Sequence, residues 1–180
     1  MGRPLVLEEH GLGGLSTAVT RTTLRKGVDL VKVFEGFHRI ATRAPVVTAV
    51  PYVCPAGYWT LGYGSLRALG GEPVGEETPA ITEPEGEAMM RRDLSSAEAS
   101  VHALLPIWAW EITDAAFGAL VSFIYNVGSG NFQASTLCRK IRAGDLAGAA
   151  NEFPRWVYGG GRRLPGLIRR REAERTLFLS

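Results

Sequence analysis

Residues 52–64 read YVCPAGYWTLGYG and contain the clearest local-structure pattern in the amino-terminal part of the chain. The aromatic and β-branched residues at its two ends favour strands, and Pro55-Ala56-Gly57 between them favours a turn. The segment therefore predicts a β-hairpin whose second strand is interrupted by glycines. Cys54 ends the first strand and Thr60 lies in the second, so both side chains can approach one spot if the register allows it.

Upstream of the hairpin, apolar residues recur every three or four positions from Leu24 onward. This spacing predicts a helix over 22–35, with a threonine as N-cap and Gly36 as its C-terminal stop. Glu35, the last helical residue, lies between Phe34 and Phe37 in the sequence. Desolvation and the partial negative charge of the helix end both oppose its ionisation, which suits a proton donor. The alternative is a helix-end glutamate that binds nearby backbone or an arginine.

Downstream of the first helix, residues 39–51 hold two prolines among β-branched residues and predict a loop or an edge strand. Residues 70–81 are rich in glycine and proline and predict a loop. Thr82-Glu83-Pro84-Glu85 is a capping-box sequence, and it begins a long helix that Pro106 ends. The apolar residues of this helix form one stripe: Met90, Leu94, Ala97, Val101 and Leu104.

The remainder predicts helices with short turns between them. These are a helix over Thr113–Val127, a turn at 128–131, a helix over Ser135–Ala143, a helix capped by Asp145, and a last helix after Pro165. The predicted fold class is α+β, with an extension at 1–21 and a single domain at 22–180. Within it we expect an α+β lobe (22–81), a connecting helix (82–105) and a helical lobe (106–180), with a ligand cleft between the lobes.

The composition is that of a soluble single-core domain, with 46% hydrophobic and 21% charged residues among 180. Cys54, Cys138 and the three histidines lack zinc spacing, so we expect neither a metal nor a cofactor. No apolar segment is long enough to span a membrane, and no signal-peptide pattern occurs near the start. We therefore expect a monomer that is made in the cytoplasm, without stable membrane insertion.

Basic residues concentrate at the carboxyl-terminal end of the sequence. Residues 138–180 hold ten basic and four acidic residues, a net charge of +6, whereas the rest of the chain has −4. Such a face suits any polyanion, including nucleic acid, an anionic membrane and a bacterial cell wall. No base-reading helix motif is present, so we do not expect nucleic acid. Arg162, Arg163 and Arg169–Arg171 are interpreted as solvent-exposed helix charges, some of them paired with Glu172 and Glu174.

Glu35-Gly36-Phe37 followed by residues 52–64 resembles the catalytic signature of phage lysozymes (endolysins) of glycoside hydrolase family 24, the phage-T4 lysozyme type. Residues 81–87, 116–128 and 155–172 contain further blocks that are similar to this family. The resemblance covers roughly residues 24–179, and several blocks in one order are more specific than a single motif. It implies a lysozyme-like fold and, for host lysis, hydrolysis of the β-1,4 bond between N-acetylmuramic acid and N-acetylglucosamine in peptidoglycan.

The resemblance assigns Glu35 as general acid, and Cys54 with Thr60 as the residues that position or activate the attacking water. Five residues separate Cys54 from Thr60, as in the family pattern, which has aspartate or cysteine at the first of these positions. A free thiol with a pKa of about 8.5 is a weak base at neutral pH, so we favour water positioning. The alternative is a covalent glycosyl-thiol intermediate, which requires a closer, retaining-type arrangement.

The resemblance also implies substrate contacts at Leu66, Tyr125, Ser135 or its neighbour Thr136, and Asn151, for which packing or solvent exposure is the alternative. The chain departs from the family by about ten extra residues within Arg39–Pro51. These form either a surface loop, at a cost on the order of 1 kcal/mol, or a reshaped cleft.

Peptidoglycan is the expected partner, reached after release through a holin-type membrane lesion. The alternative function is a catalytically inactive peptidoglycan-binding protein of the same fold.

Overall fold

A computed structural model describes residues 21–54, 57–106 and 112–180. The predicted extension, apart from Arg21, and Pro55 and Ala56 of the predicted turn lie outside these residues. Within them the fold is α+β, as predicted: helices predominate and three small antiparallel sheets accompany them. The division into lobes stays a prediction. In the part of the chain that is described, no helix has both the length and the apolar character needed to span a bilayer.

Helix α1 (Arg25–Glu35) ends where the sequence predicts but begins later. Gly36 ends it with a φ of 70°, a conformation that glycine adopts without strain. The predicted threonine cap is wrong, because Leu24 is the N-cap and its side chain makes no capping bond. The backbone N–H of Thr23 instead donates to Glu98 Oε1 at 2.6 Å, so this threonine ties the start of α1 to the connecting helix.

Among residues 21–54 and 57–82, five short strands precede the connecting helix: β1 (Ile40–Thr42), β2 (Thr48–Ala49), β3 (Tyr52–Val53), β4 (Trp59–Thr60) and β5 (Ile81–Thr82). β3 and β4 pair antiparallel and form the predicted hairpin. The extra residues of 39–51 are neither a plain loop nor a lone edge strand. They form a second hairpin, since β1 pairs with β2, and β2 pairs with β5 on its other side. Ala49 is fully buried and anchors this hairpin, while most of its remaining residues are exposed.

The connecting helix α2 (Glu83–Leu104) begins with the predicted capping box. The Thr82 N–H donates to Glu85 Oε2 at 2.7 Å, while Thr82 Oγ1 accepts from the Glu85 N–H at 3.5 Å. The predicted apolar stripe is buried except at its last member, Leu104, which is half-buried. The helix ends just before Pro106, as the sequence indicates.

Within residues 112–180, the α-helices are α3 (Asp114–Val127), α4 (Ser129–Ala134), α5 (Thr136–Arg142), α6 (Leu146–Ala150) and α7 (Pro165–Phe178). The turn predicted at 128–131 is wrong, because Ser129 begins a short helix there. Asp145 caps α6 as predicted, since its Oδ1 accepts from the Gly148 N–H at 2.7 Å. Arg162 and Arg163 are not helical. They form β7, which pairs with β6 (Tyr158–Gly159) across two glycines of positive φ.

Helix α3 lies at the centre of the main core, where α1, α2 and α7 pack around it. Trp156 packs edge-on against Phe123 of α3 with ring centres 5.3 Å apart, as expected of a core anchor. A smaller core lies beneath the strands and consists of Leu61, Ala68, Val74, Ile81 and Met89. Phe37 packs against both cores and so joins the strands to the helices.

Candidate active site

Glu35 is the last residue of α1, and its carboxylate forms an ion pair with Arg170 of α7. Arg170 Nη1 lies 2.5 Å from Glu35 Oε1, and the exposed fractions of the two side chains are 4% and 25%. The Arg170 guanidinium also lies 5.7 Å from the ring centre of Phe34. An arginine partner, one of the alternatives left open by the sequence, is therefore present. The carboxyl group is held in one place while part of its surface stays open to solvent.

The segment after α1 holds the end of this helix beside the β3–β4 hairpin. The His38 N–H donates to the Gly62 carbonyl at 3.1 Å, and the His38 ring meets the Tyr52 ring edge-on at 5.8 Å. Phe37 packs on Tyr63 with ring centres 5.2 Å apart. These contacts position the hairpin next to the helix end that carries the glutamate.

Cys54 and Thr60 lie on one face of the hairpin. Thr60 is directly opposite Tyr52, and its Oγ1 donates to the Tyr52 carbonyl at 3.1 Å. Cys54 comes two positions after Tyr52, and its N–H donates to the Tyr58 carbonyl at 2.9 Å, so strand alternation directs it to the same side. Thr60 is buried, whereas the free thiol of Cys54 is half-buried. The register therefore brings this pair together, while the chemical roles of both stay predictions.

A groove of about 460 Å³ contains two of the predicted substrate contacts. Its lining consists of Leu66 and Tyr125 together with Gly64, Arg67, Arg92, Asp93 and Ser96. Burial above all raises the pKa of the Tyr125 hydroxyl, and the negative charges of Glu35 and Asp93 raise it further. Tyr125 thus lines the groove, and the charge of Glu35 acts on its hydroxyl. Leu66 is 52% exposed and offers apolar surface to the groove.

The other predicted substrate contacts, Ser135, Thr136 and Asn151, are not among the residues that line this groove. Ser135 is the N-cap of α5: its buried Oγ accepts from the Cys138 N–H at 2.9 Å and donates to the Phe132 carbonyl at 2.6 Å. The half-buried Thr136 is next to it, and its Oγ1 accepts from Arg139 Nη2 at 3.4 Å in an exposed contact. Asn151 is exposed, and its Oδ1 accepts from Arg175 at 3.3 Å.

The second cysteine, Cys138, is buried in α5, as expected of a packed helix residue, and burial raises the pKa of its thiol. Across residues 21–54, 57–106 and 112–180, no three His, Cys, Asp or Glu side chains cluster in a way that could hold a metal ion.

The family model described as phage lysozyme matches residues 32–174, which is most of the chain and includes Glu35, Cys54 and Thr60. The chain belongs to the phage lysozyme family. This member is 40% identical to an endolysin of Bacillus phage B103 over 154 residues, which cover 86% of the chain and 52% of that relative. It is 36% identical to an endolysin of Acyrthosiphon pisum secondary endosymbiont phage 1 over 159 residues, covering 86% and 96%. The chain thus spans about half the length of the first relative and nearly all of the second.

Solved structures of similar proteins show the lysozyme-like fold, as predicted. The endolysin from Escherichia coli O157:H7 phage FAHEc1 superposes with a TM-score of 0.73 at 30% identity, over 89% of this chain and 94% of that one. The muramidase domain of SpmX from Asticaccaulis excentricus superposes with a TM-score of 0.67 at 31% identity, over 89% and 99%. The resemblance of the sequence motifs to the phage lysozyme family is therefore confirmed.

Sequence reasoning allowed an arginine partner for Glu35 but did not identify Arg170 as that partner in this member of the phage lysozyme family. Treating Arg169–Arg171 as solvent-exposed is wrong for Arg170 and Arg171, which are 4% and 0% exposed. Both lie where α7 packs along α3. The available signal was the three- and four-residue spacing from Arg170 and Arg171 through Glu174 to Phe178, which makes the charges part of a core-facing stripe.

Proposed function

We propose that this chain is a muramidase that hydrolyses the β-1,4 bond between N-acetylmuramic acid and N-acetylglucosamine in peptidoglycan, as part of phage-type host lysis. The observation that carries the proposal is that Glu35 ends the helix held beside the β3–β4 hairpin, which carries Cys54 and Thr60 on one face. Family membership and the similarity to a protein named as a muramidase domain support the same substrate class.

In the proposed reaction, Glu35 donates its proton to the glycosidic oxygen that leaves, and a water attacks the anomeric carbon from the opposite face. The hydrogen of Thr60 Oγ1 is engaged by the Tyr52 carbonyl, so the lone pairs of this oxygen remain to accept from that water. Cys54, on the same face, orients the water through its sulfur. The water loses its proton to solvent as the new C–O bond forms, and solvent reprotonates Glu35.

The groove supplies the proposed sugar contacts. Leu66 and Tyr125 present an apolar surface and a hydroxyl of the kind that a sugar face and its ring substituents bind. Thr136 and Asn151 remain proposed contacts beyond this groove, and Ser135 supports Thr136 through the α5 cap.

We further propose that the protein acts as a monomer on the cell wall after release from the cytoplasm through a holin-type lesion. The endolysin names of its relatives support the wall as target.

The test is hydrolysis of purified peptidoglycan by the wild type, Glu35→Gln and Cys54→Ser, with new ends identified by mass spectrometry. Reducing muramic acid ends from the wild type that vanish in Glu35→Gln are expected, with partial activity in Cys54→Ser. Glu77→Gln, at an exposed turn, is the matched control and should behave as the wild type. Folded wild type that binds peptidoglycan in a pull-down but releases no reducing ends would show a binding protein instead.

A further inference from the structure

The ion pair of Glu35 is part of a larger group of charges, which we call the α7 charge cluster: Glu35, Arg170, Arg171 and Glu174. It contains two cations and two carboxylates, so it is neutral when all four are charged. Three of the four side chains are almost completely buried, and Glu35 alone reaches the surface. A change of charge at one member therefore alters the electrostatic energy of the others, with little screening by solvent.

Glu174 fixes the direction of the Arg170 guanidinium. Glu174 Oε1 accepts from Arg170 Nε at 3.1 Å and from Ser122 Oγ at 2.7 Å. Arg170 Nη2 donates to the Ser122 carbonyl at 3.2 Å, which leaves Nη1 aimed at Glu35. Each of the three guanidinium nitrogens thus has its own acceptor, and only the contact to Glu35 joins α7 to the site.

Glu174 also compensates the charge of Arg171. Glu174 Oε2 lies 2.9 Å from Arg171 Nη1, an ionic contact without hydrogen-bond geometry, and Arg171 Nη2 donates to Asn126. If Glu174 were neutral, two buried cations would both attract the Glu35 carboxylate. Protonation of Glu35 would then leave two uncompensated positive charges instead of one, which costs more free energy.

We propose that Glu174 is a positioning residue for the acid: it directs Arg170 onto Glu35 and, by balancing Arg171, keeps Glu35 able to bind the proton that it donates. The mechanistic use of that proton rests on the function proposed above. The electrostatic coupling between Glu174, Arg171 and Glu35 is independent of that function.

The charged and titratable groups around Glu35 come from each neighbouring element. Arg170 of α7 contacts Glu35, Tyr125 of α3 and Asp93 of α2 line the groove, and Cys54 lies on the adjacent hairpin. Substitution of Glu174 or Arg171 replaces none of these residues. A change in the titration of Glu35 in such variants therefore reports the α7 charge cluster itself.

The experiment follows the side-chain carboxyl of Glu35 by ¹³C NMR as a function of pH in the full chain, with the signal assigned by its loss in Glu35→Gln. Glu174→Gln should move the titration midpoint down, and Arg171→Met should move it up, each by on the order of one pH unit, or about tenfold in the protonated fraction. Glu174→Asp should restore the wild-type midpoint. The control is Glu152→Gln, another buried acid, which binds Lys140 at 2.7 Å and Arg155 at 3.2 Å away from the site.

Opposite shifts in Glu174→Gln and Arg171→Met, with no shift in Glu152→Gln, support the proposal, because a general loss of packing cannot produce opposite signs. Unchanged midpoints, or shifts in one direction for both, overturn it. If Glu174→Gln does not fold, the sign of the Arg171→Met shift decides by itself. Peptidoglycan hydrolysis is measured separately on the same wild-type sample, so a protein without activity would refute the muramidase while the titration still tests the coupling.

Discussion

Arg170 Nη1 contacts Glu35 Oε1 at 2.5 Å although 135 positions separate the two residues in the chain. The contact joins the last residue of α1 to the first half of α7. Its arginine is buried while its glutamate is partly open, so the pair links the core to the surface. Removing a buried member of such a pair leaves charges without their partners. The free energy of unfolding therefore falls by more than the pair itself contributes to it.

Arg170→Met should therefore lower the free energy of unfolding by about 3 kcal/mol, as measured by urea denaturation. Methionine keeps most of the side-chain volume, so the loss reports mainly the charge and its hydrogen bonds. Arg169→Met, at the exposed neighbouring position, should change the stability by no more than about 0.5 kcal/mol. Equal urea midpoints for the two variants would contradict this view of the pair.

Gly27 of α1 and Gly118 of α3 let these helices approach closely. A Cβ atom at Gly27 would lie 2.8 Å from the Gly118 Cα, and one at Gly118 would lie 2.9 Å from the Gly27 Cα. Because the obstacle is backbone, the helices must separate, and alanine at either position should destabilise the fold by about 1–3 kcal/mol. Gly130→Ala is the control, since its Cβ meets nothing within 4 Å. If Gly27→Ala, Gly118→Ala and Gly130→Ala have the same thermal unfolding midpoint, this packing argument is refuted.

The capping box of α2 should give stability a defined pH dependence. Hydrogen bonds from the Thr82 backbone, and then from its side chain, lower the pKa of Glu85 below the ordinary value. A lowered folded-state pKa means that this contribution is complete above the unfolded pKa of about 4.3 and is lost as the pH falls through the folded value. The urea midpoint of the wild type should exceed that of Glu85→Gln at pH 6, and the difference should shrink toward zero at pH 3. Glu77→Gln, at an exposed position, should show no such convergence.

Features fixed by neighbouring residues could be predicted from the sequence. The capping box lies within Thr82–Glu85, the end of α1 depends on Gly36, and the β3–β4 hairpin depends on the residues that it contains. The sequence spacing of Cys54 and Thr60 also predicts their arrangement, because both residues lie on one face of the hairpin in the structure. In these cases the stabilising partner is at most a few positions away, so the pattern itself contains the interaction.

Features fixed by distant partners could not be predicted in this way. The burial of Arg170 depends on Ser122, 48 positions away, and on Glu35 still farther along the chain. The sheet that contains the β1–β2 hairpin has β5 as its third strand, and β5 lies after the β3–β4 hairpin in the sequence. A sequence window around Arg170 shows only a run of three basic residues. Packing of α7 against α3 determines which of these three residues are exposed.

Thr60→Val should separate the structural role of the Thr60 hydroxyl from its chemical role. Valine keeps the shape and removes the hydrogen bond to the Tyr52 carbonyl, so the free energy of unfolding should fall by about 1 kcal/mol. If the oxygen also orients the attacking water, peptidoglycan hydrolysis should fall by about 10²-fold, far more than the small loss of folded protein explains. Thr60→Ser should restore most of the activity, and Thr48→Val in β2 should leave it unchanged. Near wild-type hydrolysis by folded Thr60→Val would show that the hydroxyl serves the hairpin alone.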